Sequence, residues 1–78
     1  MEYNIMDIEN EINERIRTAK WYHKQKRSDY SKIIIGCGHE LLSGFEEFIK
    51  KNYENNQTRE LIESLRKKLN KTLDKITN

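Results

Sequence analysis

The chain has 78 residues, 35% hydrophobic and 36% charged, with no proline, three glycines, one cysteine and a formal net charge of +2. This allows one small domain with a thin core, since domains of roughly 60 to 80 residues bury only about 60% of the surface that their unfolded chain exposes, and a homo-oligomer is expected to supplement that core. A single cysteine excludes an internal disulfide, and the longest run without a polar side chain, Ile33 to Gly38, is far shorter than a membrane span of about 20 residues. Residues 1 to 14 carry five acids and no base, the reverse of a secretory signal, so a cytoplasmic protein with no membrane partner is expected.

The near-neutral total conceals strong segregation. Residues 1–14 sum to −5, residues 15–32 to +6, residues 33–54 to −2 and residues 55–78 to +3. Low net charge together with periodic apolar residues argues against disorder, and the absence of proline leaves helix favoured throughout.

The first predicted helix runs from about residue 3 to 26, because Ile5, Ile8, Ile12, Ile16 and Ala19 recur every three or four residues along one stripe. Its acids come first and its bases last, which complements the helix macrodipole. Ser28 or Asp29 is the expected N-cap of a second helix, about 29 to 53. There Tyr30, Ile34, Cys37, Leu41, Phe45 and Phe48 form one apolar stripe, with Ile35, Leu42, Ile49 and Tyr53 beside it. Asn52, Asn55 and Asn56 supply a turn. A third helix, about 57 to 76, carries Leu61, Ile62, Leu65, Leu69, Leu73 and Ile76 as its buried stripe. Matched lengths and short turns predict an all-α fold, a three-helix antiparallel bundle or a helical hairpin with a third helix added.

The densest functional signal is the basic aromatic segment 15–27. Arg15, Arg17, Lys20, Lys24, Lys26 and Arg27 surround Trp21, Tyr22 and His23 with no acid among them. That composition suits a ligand whose phosphates are neutralised by Lys or Arg and whose bases stack on aromatic rings, a nucleic acid or a cyclic nucleotide. The same residues suit an acidic partner surface, and the plainer reading is a solvated basic helix end whose Trp21 and Tyr22 pack in the core or in a subunit contact. In the second helix Gly36, Cys37, Ser43 and Gly44 predict close helix packing, within the chain or between subunits, because a helical glycine costs about 1 kcal/mol relative to alanine and calls for a compensating contact. Gly36-Cys37-Gly38 lacks the remaining glycine of a dinucleotide fingerprint and the Gly-Lys-Ser/Thr of a phosphate loop. Cys37 and His39 lie on different faces of a helix and fall short of the three or four ligands of a zinc site, so no metal, cofactor or catalytic residue is expected, and the chain reads as a non-enzyme.

The stretch Ile35-Gly36-Cys37-Gly38-His39-Glu40-Leu41-Leu42-Ser43-Gly44-Phe45, following a basic first helix, resembles the second helix of the small helical-hairpin sponges with which phages sequester cyclic-nucleotide immune signals. The resemblance covers about half the chain and implies oligomers with nucleotide pockets lined by aromatic and basic side chains, for which Trp21, Tyr22, Lys24 and Arg27 are the local candidates. The third helix departs from that two-helix pattern. Small size, a thin core, segregated charge and the lack of a catalytic constellation lead to the expectation of a phage or mobile-element interaction protein that binds and inhibits a host protein such as a defence component. A nucleic-acid or cyclic-nucleotide binder and a purely structural oligomerisation module are the alternatives.

Overall fold

A computed structural model describes residues 5–52 and 55–77 of the chain. It contains three helices, α1 (Ile5–Lys24), α2 (Ser28–Asn52) and α3 (Asn56–Thr77), and no strand among the described residues. The all-α expectation holds; the ends predicted at 26, 29, 57 and 76 lie within two residues of those observed, and those predicted at Tyr3 and Tyr53 fall outside the described residues.

Local chemistry explains the two breaks. The first needs neither glycine nor proline: Lys26 adopts φ 62°, the left-handed conformation. The Lys26 amide donates to the His23 carbonyl at 3.1 Å and the Arg27 amide to the Tyr22 carbonyl at 2.9 Å, which is the Schellman pattern that closes a helix C-terminus. The expected serine or aspartate cap is not what starts α2. Helix geometry begins at Ser28, the Ser31 amide donates to the Arg27 carbonyl at 3.1 Å, and the Ser28 hydroxyl lies 2.9 Å from His23 Nδ1. The second break is a reciprocal capping box: the Thr58 amide donates to Asn55 Oδ1 at 2.9 Å, and the Asn55 amide to Thr58 Oγ1 at 3.2 Å.

Cross-helix contacts fix the topology. Ser31 Oγ donates to the Ala19 carbonyl at 2.7 Å, and one turn deeper Arg15 faces Gly38, so residue numbers fall along α1 as they rise along α2. Glu46 bonds Arg66 at 3.0 Å while Gly38 meets Leu69, which gives α2 and α3 the same opposed sense. The bundle is therefore up-down-up, with α1 and α3 parallel. It measures 41 × 22 × 16 Å, the long dimension set by helices that rise about 1.5 Å per residue.

The buried line of α2 is Ser31, Ile35, Gly38, Leu42, Phe45 and Ile49, and that of α3 is Thr58, Ile62, Leu65, Leu69, Thr72 and Ile76. Both alternate four-residue and three-residue steps, the heptad spacing that keeps one seam facing its partners along the whole helix. On α1 the buried residues are Ile8, Ile12, Ile16 and Ala19, as expected, the side chain of Ile5 lying outside the described ones. The α2 expectation needs correcting. Tyr30 and Cys37 are exposed, whereas small, polar Ser31 and Gly38 occupy the seam. A hydropathy stripe cannot place them, because at these levels the helices approach too closely for larger side chains. On α3, Thr58 and Thr72 are buried where Leu61 and Leu73 were expected to be; those leucines are half-buried at the flanks.

Candidate functional site

The basic aromatic segment divides into three environments. Arg15 faces inward, between Ile12 and Ala19. Its Cδ approaches Gly38, its Nε is buried without a hydrogen-bond partner among the described residues, and its Nη2 reaches Glu11 at 3.5 Å. A stem packed on the core with its charge turned towards Glu11 at the surface makes Arg15 a lid on the seam, its charge partly offset there.

Trp21, Tyr22 and Arg27 form the second environment, at the α1–α2 turn. Trp21 is 57% exposed, which removes it from the core of this chain. Its ring meets Tyr22 edge-on at 5.0 Å between centroids, and Tyr22 stacks on Tyr30 at 5.4 Å. Arg27 completes the group with its guanidinium 4.8 Å from the Tyr30 ring and 3.7 Å from Asp29. Tyr30 is 46% exposed, and Ile33, its neighbour three residues along α2, is 62% exposed. Exposed Lys24 and Lys26 flank this patch. The turn is held by the Schellman bonds and by the Ser31–Ala19 bond, so the rings stand on a fixed base. Tyr30 was expected in the apolar stripe of α2 and Ile33 was assigned to neither stripe; the structure leaves both exposed, with Tyr30 stacked on Tyr22.

Arg17 and Lys20 form the third environment, on the other flank of α1. They line an open groove of about 660 Å³ whose opposite wall is Lys68, Lys71 and Lys75 of α3. The parallel course of α1 and α3 brings these two basic rows side by side. Glu14 also lines the groove and is paired with Arg17, so the balance there is five bases against one acid. Among the described residues Lys20, Lys68, Lys71 and Lys75 form no ion pair. Their three- and four-residue spacing on α3 was visible in the sequence, but nothing there says which helix they face.

No family model, curated protein or solved structure matches the chain.

The small residues of α2 expected at a close helix contact face away from the other two helices of the chain. Gly36, Cys37, Ser43 and Gly44 are all exposed, and nothing lies within 4 Å of a Cβ built at Gly36 or Gly44. Close packing within the chain occurs at Gly38 instead, where a Cβ would fall 2.9 Å from Leu69 Cδ2. Cys37 is exposed and His39 half-buried. Among the described residues no three His, Cys, Asp or Glu side chains cluster to hold a metal ion, and no helix is long and apolar enough to cross a membrane.

Proposed function

We propose that the chain is a small non-catalytic helical interaction protein, of the kind that phages and other mobile elements encode, and that it inhibits a host protein by occupying one of its surfaces. The observation that carries this reading is the exposed patch of Trp21, Tyr30 and Ile33 on a braced helical turn, edged by Lys24, Lys26 and Arg27. Trp, Tyr and Arg dominate the few residues that supply most of the energy of a protein interface, and rigid rings lose little conformational freedom when they are covered. The cationic edge selects a partner whose apolar pocket is rimmed by acids, and long-range attraction between the two rims raises the association rate.

Pull-down from a host lysate followed by native mass spectrometry tests the proposal. The wild-type chain is expected to capture one defined protein at fixed stoichiometry, and each of W21A and Y30A to weaken that complex by about 2 kcal/mol or more, about 30-fold in Kd. Both residues are largely outside the core, so folding is retained in the variants. Undiminished capture by the W21A/Y30A double variant would remove the patch from the interface and the proposal with it.

A further inference from the structure

The groove between α1 and α3 is lined by none of the aromatic-turn residues, and only Trp21, one turn beyond Arg17 on α1, could serve both it and the protein contact proposed above. We infer that it is a binding track for the backbone of a single-stranded nucleic acid. Arg17 and Lys20 on one wall, and Lys68, Lys71 and Lys75 on the other, repeat about once per helical turn, so each wall carries cations roughly 5 Å apart along the bundle axis. The two walls run parallel because α1 and α3 are parallel. Linear rows of this kind match the evenly repeating charge of a phosphodiester chain.

The floor and the open end of the groove add a second argument. Ile16 and Thr72 form part of its lining, a surface a strand can lie across. Trp21 follows Arg17 by four residues, about one turn of α1, and more than half its surface is open, so its ring is available to stack on a base that leaves the groove. Stacking of this kind is available to unpaired bases and not to those inside a duplex, which selects the single strand. Glu14 offsets one of the five cations through its pair with Arg17, leaving a net of four to neutralise phosphates.

That number sets the test. Binding of a labelled oligothymidylate of about 16 nucleotides, the upper end of single-strand site sizes, is followed by anisotropy and by the fluorescence of Trp21, the one tryptophan of the chain. Each neutralised phosphate contributes about −0.7 to the slope of log K against log salt. Four give about −2.8, so the wild-type affinity is expected to fall about 50-fold between roughly 50 and roughly 200 mM salt. K68A/K71A removes two exposed cations and is expected to reduce that fall to about 7-fold, while K50A/K51A, at the opposite end of the bundle, leaves it at about 50-fold. Circular dichroism establishes that each variant is folded. The inference is overturned by absence of binding at the lowest salt, by a slope that K68A/K71A leaves unchanged, by tighter binding of a duplex of equal length, or by displacement of the oligonucleotide by polyglutamate at equal charge, which would reassign the groove to an acidic protein. Failure here leaves the aromatic-patch proposal standing, since W21A/Y30A tests that one against the captured protein.

Discussion

Replacing Gly36, Gly38 and Gly44 by alanine, one at a time, makes the same chemical change at three positions of one helix with opposite expected results. Alanine gains about 1 kcal/mol over glycine in a helix interior, because the glycine backbone loses more freedom on folding. At Gly36 and Gly44 the added methyl meets nothing within 4 Å, so G36A and G44A are each expected to stabilise the chain by about that amount, raising Tm by about 4–8 °C in a domain of this size. At Gly38 the same methyl falls 2.9 Å from Cδ2 of Leu69, which is fully buried and has no solvent to move into. Overpacking a core costs about 1–3 kcal/mol, so after subtracting the helical gain G38A is expected to range from neutral to about 2 kcal/mol destabilising. A double-mutant cycle isolates the contact. L69A alone costs about 2–5 kcal/mol, but it vacates the space the new methyl needs, so adding G38A to L69A is expected to recover about 1 kcal/mol or more. Urea unfolding followed by far-UV circular dichroism measures all five variants. If G38A stabilises the wild-type chain as much as G36A does, or if its effect is the same with and without L69A, the close approach of α2 and α3 at this level is refuted. Sedimentation velocity on G36A/G44A also tests the expected homo-oligomer: a surface used by a second copy loses association when both methyls are added.

Two further substitutions probe the α1–α2 turn. S31A deletes the hydroxyl that bonds the Ala19 carbonyl across the helix pair at 2.7 Å, and is expected to lower stability by about 1 kcal/mol in thermal or urea unfolding; an unchanged midpoint would show that the bond contributes nothing net. K26G places the residue with no left-handed penalty at φ 62° and is expected to raise stability by about 0.5–1 kcal/mol; a loss would mean that the lysine side chain is itself required for the turn.

The three helices, their lengths and the α1 stripe were legible in the residues, because apolar side chains at three- and four-residue intervals between polar turns have few other ways to be buried. The acidic-to-basic run along α1 was equally plain, and it located the segment that carries Trp21. What the sequence left open was rotation. Tyr30 and Cys37 could be placed in the seam, and Ser31 and Gly38 outside it, on hydropathy alone; the observed order is set by how closely α1 and α3 approach α2, and the hydroxyl of Ser31 is satisfied there by a carbonyl of another helix. The fate of the basic block was also tertiary. Arg15 packs its stem where Gly38 leaves room, Arg27 is held at the turn over Tyr30, and Arg17 and Lys20 become one wall of a basic groove only when parallel α3 sets Lys68, Lys71 and Lys75 opposite them. Periodicity determines that a helix has a buried face; which neighbour each remaining face meets depends on contacts between residues on different helices, such as Ser31 and Ala19, 12 positions apart, and single-helix patterns carry no record of those.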